Sequence, residues 1–418
     1  MTRGRFAPSP TGRMHLGNVF CALLSWLSAK SKGGEWVLRI EDLDPQRSRK
    51  EYALQLMDDL QWLGIHWDGE PVWQSQRGHI YEEYLLRLTE MGLTYPCFCT
   101  RADIMATQAP HETDGRVVYK GTCRPKYTDA ARSVPTATSL IPQTVPLRQG
   151  DERSGGGGLT AHHSTLTTPP ATTRIIVPDC TIPFTDGHYG QHDINLAEHC
   201  SDYIIRRKDG AWAYQLAVVV DDALMGVTEI VRGRDLLLSS PQQIHLRELL
   251  FGERKTENGL AELDEQERIK RKTITDASVP TATSLNVYPS PSETGGVPQS
   301  GEGVDSSFTP QTVPLRQRDE QSGGGGLTVN PSSLNVNFLH HPLLCNAEGQ
   351  RLCKRDKSMD LGYLRDKGTS PQEIIGLLAH LAGLTDTPAP ITPQELIPLF
   401  SWNKVPTEDI LLDHRITL

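Results

Sequence analysis

From Arg5 to Ile65 the chain alternates between two periods: an extended RFAPS, a helical run over Val19 to Lys30, a strand-like WVLRI and a helical KEYALQLMDDLQWLGI. A parallel strand pair needs a crossover between its members, so this alternation predicts an α/β fold with a parallel sheet covered by its own helices. A second block, from Ser201 to Leu250, reads as strand DYIIRR, helix AYQLAVVVDDAL, strand TEIVRG and helix SPQQIHLRELLFG. It is expected to supply the other half of the same sheet.

Two further segments, Ser133 to Thr173 and Ala277 to Val336, are rich in Ser, Thr, Pro and Gly and poor in large apolar side chains. Neither can bury enough surface to fold by itself. SVPTATSL, PQTVPLRQ and SGGGGLT occur in both, in the same order. A solenoid unit would carry an apolar face to stack on its neighbour; these copies carry none and read as inserted surface loops. The chemistry is expected in the remainder of the 418 residues, which is long enough for two or three domains.

Bulk properties narrow the class. With 37% hydrophobic and 22% charged residues the chain is globular in type. The net charge of -9 does not advertise a polyanion partner, so any RNA would need a local basic face. The start, MTRGRFAPSP, has no secretory pattern, and no run approaches the ~20 apolar residues of a membrane helix, so a cytoplasmic location without membrane contact is expected. Cysteines in that compartment stay reduced, and clustered ones read first as metal ligands or redox groups.

RFAPSPTGRMHLGN sets Arg5, Ser9, His15 and Asn18 around a strand-to-helix turn whose prolines and Gly12 prevent regular structure. A helix beginning near Gly17 offers unpaired N–H groups and a partial positive charge, an anion site suited to nucleotide phosphates. Far downstream stands Lys354-Arg355-Asp356-Lys357-Ser358, on its own an ordinary charged loop. Cys97, Cys99, Tyr119 and Cys123 form C-x-C followed by Y-x3-C. Three thiolates and an oxygen can hold tetrahedral zinc, and the spacing fits reduced, partly buried cysteines equally well.

Together these segments resemble the class I aminoacyl-tRNA synthetases of glutamyl type. RFAPSPTGRMHLGN is similar to their HIGH-type signature, with Asn18 in the last position, and KRDKS resembles their KMSKS loop. RIEDLDP, AVVVDD and VRGRD extend the likeness over nearly all of the chain outside the two low-complexity segments. The resemblance implies a Rossmann-like parallel-sheet catalytic domain, an inserted zinc-containing acceptor-type subdomain and a short helical C-terminal region. On this reading the catalytic halves are residues 1–95 and 186–276 and the zinc subdomain is 96–185. The lysine-loop region is 337–366 and the C-terminal helices are 367–418.

The same resemblance implies roles for residues. His15, Gly17, Asn18, Lys354 and Lys357 would bind ATP with its Mg2+, and Lys357, His15 and Asn18 would be catalytic. Arg5, Phe6, Ala7, Pro8, Ser9, Glu41, Tyr214 and Arg232 would bind L-glutamate. Charge agrees, because two carboxylates and an ammonium call for arginines and one acid, and Arg5, Arg232 and Glu41 stand at strand ends. Without the resemblance, Glu41 reads as an exposed strand-end acid, Tyr214 as a core aromatic, and Asp221 and Asp222 as turn or capping groups. Cys97, Cys99, Tyr119 and Cys123 would hold one structural zinc.

The residues after Ser358 are too few for an anticodon-binding domain of well over ~100. That feature, with the cysteine pattern, resembles the glutamyl-Q tRNA(Asp) synthetase branch. Its members activate glutamate without tRNA and transfer it to queuosine in the anticodon of tRNA(Asp). An anticodon arm presented to the acceptor-arm site makes a separate anticodon reader unnecessary, leaving recognition to shape and a flipped base. A monomer is expected. Ordinary charging of tRNA(Glu) or tRNA(Gln), and a catalytically inactive tRNA-binding paralogue, are the alternatives.

Overall fold

The computed structural model describes residues 1–106, 119–125, 171–252, 336–352 and 360–412. All of these fall in one unit, Met1–Gly252 with Val329–Leu418; the second unit, Glu253–Thr328, lies outside the described residues. β1 (Arg3–Phe6) leads through α1 (Leu16–Lys30) to β2 (Glu35–Ile40), then α2 (Lys50–Trp62), β3 (Val72–Trp73), α3 (Gly78–Glu90), β4 (Thr94–Cys97) and α4 (Arg101–Ala106). After these come β5 (Thr172–Ile175), β6 (Thr181–Asp186), β7 (Gly190–Asn195), α5 (Leu196–His199), β8 (Ile204–Arg206), α6 (Tyr214–Leu224), β9 (Glu229–Gly233) and α7 (Ser240–Phe251). The last elements are β10 (Asn337–His341), β11 (Leu344–Cys345), α8 (Leu361–Asp366), α9 (Pro371–Leu381), α10 (Pro393–Leu396) and β12 (Ile410–Leu411).

The main sheet has seven strands in the order β3-β2-β1-β9-β10-β6-β7. Every neighbouring pair is parallel except β6 and β7, which form an antiparallel hairpin at one edge. Chain order runs outward from β1 on one side through β2 and β3, while β9 lies on the other. The crevice between the carboxyl ends of β1 and β9 is therefore the topological switch point, where open α/β sheets bind ligands. α1 packs beneath it with Leu16, Val19, Phe20, Leu23, Leu24 and Leu27 fully buried, because the sheet covers one face and the C-terminal helices cover the other.

One strand departs from expectation. DYIIRR does not join the main sheet; β8 pairs antiparallel with β5, and β5 with β4, in a separate three-stranded sheet. Period reveals a strand but not its partner. Here Asp202, next to β8, settles the matter by accepting from the Tyr95 hydroxyl at 2.6 Å and the Val177 N–H at 2.8 Å. The second half of the main sheet comes instead from β9, the β6–β7 hairpin and β10, which follows the second low-complexity segment. β5 begins at Thr172, inside the first such segment as drawn, and β6 runs across the boundary drawn at residue 185.

The C-terminal helices belong to the same core. Ser370 and Glu373 form a capping box with Pro371 in the first turn of α9, and Ile374, Ile375, Leu377 and Leu378 pack with α1 and β2. Gly376 stands where a Cβ would lie 2.1 Å from the Ala389 carbonyl oxygen, so no larger residue fits. Among the described residues no helix is long and apolar enough to cross a membrane.

Candidate active site

The turn after β1 is organised by its own side chains. His15 caps α1: its Nδ1 accepts the Gly17 N–H at 3.1 Å, while Asn18 Oδ1 accepts the His15 N–H at 3.1 Å. A Cβ on Gly17 would lie 3.0 Å from the His15 ring, so a larger residue there would press on the cap. With Nδ1 accepting, the hydrogen-bond pattern assigns the ring proton to Nε2. The sequence suggests bare backbone donors at this helix start; the structure gives the Gly17 N–H to His15. What this turn offers an anion is the helix dipole together with the side chains of His15 and Asn18.

A cavity of about 470 Å³ opens over the carboxyl ends of β1, β9 and β10. Its wall includes Arg5, Phe6, Ala7, Pro8, Ser9, His15, Gly17, Asn18, Glu41, Tyr214 and Arg232. Every described residue that the sequence assigns to ATP or glutamate thus faces one concave surface. Lys354 and Lys357 lie outside the described residues, but both flanks of 353–359 reach the cavity. Arg351 and Leu352 line it on one side; on the other, Asp360 bridges to His15 and the Leu361 N–H donates to the Met14 carbonyl at 2.9 Å.

Behind Arg5 lies a buried charge network. Asp222 Oδ1 accepts from Arg39 at 2.6 Å and from Arg5 at 3.4 Å, and Arg39 also reaches Glu41 Oε1 at 3.2 Å. Asp221 accepts from Gln74 at 2.8 Å, Arg77 at 2.6 Å and the Tyr81 hydroxyl at 2.7 Å. Turn or capping roles for Asp221 and Asp222 are thereby corrected: both are buried on α6 and neutralise arginines. The available signal was a pair of acids inside the apolar run AVVVDDAL, since buried carboxylates need partners. Burial works against ionised Asp222, but Arg39 and Arg5 outweigh it and hold the carboxyl below its usual range. For Glu41 burial wins over Arg39 and Arg5, and the carboxyl is pushed up. A bound ammonium would favour its ionised form.

Arg232 is arranged differently. It is 4% exposed, yet no carboxylate pairs with it among the described residues. Its Nε donates to His340 Nε2 at 3.0 Å, and its two amino groups donate to Gln243 Oε1 at 2.7 Å and Ser240 Oγ at 2.8 Å. The guanidinium carbon stands 5.2 Å over the Phe338 ring. All these partners are neutral or face-on aromatic, and burial pulls the Arg232 pKa down. Sequence reasoning missed this surround, including His340 and the neighbouring His341. His341 lines the same cavity, and burial brings its pKa down to about 4.

The cysteines gather elsewhere, beside the three-stranded sheet. The Sγ atoms of Cys97, Cys99 and Cys123 all lie within 4.8 Å of one another. The Tyr119 oxygen accepts from Cys97 Sγ at 3.5 Å and from the Cys123 N–H at 2.7 Å, with the Arg174 guanidinium 3.9 Å over its ring. Cys99 and Cys123 sulfurs are 3.5 Å apart, far beyond the ~2.05 Å of a disulfide. Burial pushes Cys99 up to about 11, whereas a Phe98 backbone hydrogen bond brings Cys123 down to about 7. Three sulfurs and one phenolic oxygen converging in this way fit a closed tetrahedral zinc site.

Fold and cavity together define a doubly wound α/β catalytic domain with its ligand site at the switch point. A family model for the tRNA synthetases class I (E and Q), catalytic domain, matches residues 1–138 and 161–276. The chain belongs to this family and is a ligase of the aminoacyl-tRNA synthetase type. The stretch the match passes over lies inside the first low-complexity segment. A glutamyl-Q tRNA(Asp) synthetase of Symbiobacterium thermophilum is 34% identical over 420 residues, covering 98% of this chain and 95% of that protein. One from Neisseria meningitidis serogroup C is 44% identical over 250 residues, 60% of this chain and 72% of the relative. Among solved structures, a glutamate tRNA ligase from Elizabethkingia meningosepticum in complex with its amino acid superposes with a TM-score of 0.61. The match is 22% identical and covers 99% of this chain and 67% of the other, a likeness of fold.

Proposed function

We propose that this chain activates L-glutamate with ATP, without needing tRNA, and transfers it to queuosine in the anticodon of tRNA(Asp). The observation that carries the first step is Arg232, a buried cation in the cavity wall with no carboxylate partner among the described residues. An amino acid with two carboxylates supplies the missing anion, and its ammonium meets Glu41. The α-carboxylate then attacks the α-phosphorus of ATP and pyrophosphate leaves, so no protein nucleophile is required. His15, Asn18, Lys354 and Lys357 meet the charge that builds on the phosphate oxygens. Mg2+ carried with ATP would supply further positive charge to the leaving pyrophosphate.

The choice of acceptor is supported by the relatives that bear the glutamyl-Q tRNA(Asp) name. In this reading residues 96–185 form the acceptor-type subdomain, stiffened by one zinc on Cys97, Cys99, Tyr119 and Cys123. The chain should carry about one zinc, and Cys123→Ser should lose it with a lower Tm; metal analysis after dialysis, with free-thiol titration, checks this. Wild-type protein whose thiols all titrate freely in the presence of zinc would rule the site out.

ATP–pyrophosphate exchange tests the activation step. Exchange that depends on glutamate and not on tRNA is expected, and its absence both with and without added tRNA would leave only a tRNA-binding role. Labelled glutamate should then pass to tRNA(Asp) with queuosine and not to tRNA(Asp) lacking it. Transfer to tRNA(Glu) or tRNA(Gln) would instead mark an ordinary charging enzyme. Lys357→Ala should lower kcat for exchange roughly 100- to 1,000-fold while glutamate binding is kept, because an ammonium aimed at transition-state charge contributes little to the ground state. Unchanged turnover would remove Lys357 from the chemistry.

A further inference from the structure

We propose that Asp186 and His340 form a buried positioning pair that steers Arg232 with a neutral acceptor, so that its charge stays available for a substrate carboxylate. The proposal rests on the glutamate-activation reading and adds two residues that the sequence did not single out. Asp186 ends β6 and His340 lies on the neighbouring β10, both almost fully buried. Asp186 Oδ1 accepts the backbone N–H groups of His188 at 3.0 Å and Tyr189 at 2.9 Å, which fixes the carboxylate's orientation. Its Oδ2 lies 2.6 Å from His340 Nδ1.

The proton on His340 follows from its two neighbours. An ionised carboxylate only accepts, and a guanidinium only donates. One tautomer satisfies both: Nδ1–H donates to Asp186, and bare Nε2 accepts from Arg232 at 3.0 Å. The other tautomer would set two N–H groups against each other. An imidazolium would place a second cation against Arg232, and burial in any case pulls the His340 pKa down.

The consequence is a division of roles. An acid touching Arg232 directly would compensate its charge internally, and an incoming carboxylate would have to compete with it. An intervening imidazole passes on orientation and withholds the anion. Gln243 and Ser240 do likewise, so the guanidinium is fixed on three sides and, among the described residues, neutralised on none. Pre-orienting the group lowers the cost of ordering it when the ligand arrives.

Asp186→Asn is the sharpest test. The amide oxygen can still take the His188 and Tyr189 N–H groups, while its NH2 must donate to His340 Nδ1 and drive the ring proton to Nε2. The KM for glutamate in ATP–pyrophosphate exchange should rise about 10- to 100-fold, as for loss of a hydrogen bond to a charged group, with the KM for ATP almost unchanged. His340→Gln, whose Oε1 can replace Nε2, should rescue much of the glutamate KM. His340→Asn, which reaches Asp186 but not Arg232, should not. Side-chain 15N spectra of His340 should show Nδ1–H in the wild type and Nε2–H in Asp186→Asn.

If the two KM values move together, or wild-type His340 carries its proton on Nε2, the pair does not act as proposed. A wild type lacking glutamate-dependent exchange would overturn the activation reading instead. An Nδ1–H signal from His340 in that same sample would still support the pair's hold on Arg232.

Discussion

Arg232→Ala is expected to lower kcat/KM for glutamate in ATP–pyrophosphate exchange about 100- to 1,000-fold, because truncating one side of a buried charge pair leaves the other charge desolvated. Most of the loss should fall on glutamate affinity and little on the KM for ATP. Arg232→Lys should recover only part, since a point charge cannot make three fixed hydrogen bonds to His340, Gln243 and Ser240. Stability should move in the opposite sense or hardly at all: removing a buried cation that has no carboxylate partner among the described residues relieves a desolvation cost. Exchange kinetics and a melting curve on the same sample check both halves. Normal kcat/KM for glutamate in the alanine variant would mean that the substrate carboxylate is bound by some other group.

Asp222→Ala should instead attack the fold, by about 3–5 kcal/mol out of the ~5–15 kcal/mol that typically separates folded from unfolded chains. Arg5 and Arg39 share this carboxylate, and both guanidinium groups are buried. Glu41 at 3.2 Å and Asp221 at 3.9 Å remain for Arg39, but Arg5 is left with the Val231 carbonyl at 3.2 Å. Asp222→Asn should be milder, because its amide oxygen still accepts one hydrogen bond. Urea unfolding measures the difference, and a loss under ~1 kcal/mol would show that Glu41 and Asp221 alone compensate the two arginines. The contrast with Arg232 is the informative part: Arg5 and Arg39 share a carboxylate, whereas Arg232 has none among the described residues.

Much of the catalytic half was readable because its signals are local. His15, Gly17 and Asn18 make contacts only two or three residues apart, so the cap at the start of α1 is encoded in a short string. The same holds for Ser370 and Glu373 at the start of α9. In contrast, Arg39 and Asp222 are 183 positions apart, and His340 and Asp186 are 154 apart. No periodicity within either segment announces its partner. The acids of AVVVDDAL were visible as a conflict between charge and burial, but the arginines that resolve it, Arg5, Arg39 and Arg77, lie far away in the sequence.

By itself the sequence determined the alternation that yields a parallel sheet, the helix caps, the turn that carries the nucleotide motif and the clustered cysteines. Each depends on backbone geometry and side-chain chemistry over a few residues. Tertiary structure decided that β8 joins the small sheet and β10 the large one, that Arg39 and Asp222 pair in the core, and that Arg232 meets no carboxylate among the described residues. Those outcomes depend on which buried charges meet across the sheet, and that is fixed only when distant strands pack and water is removed from between them.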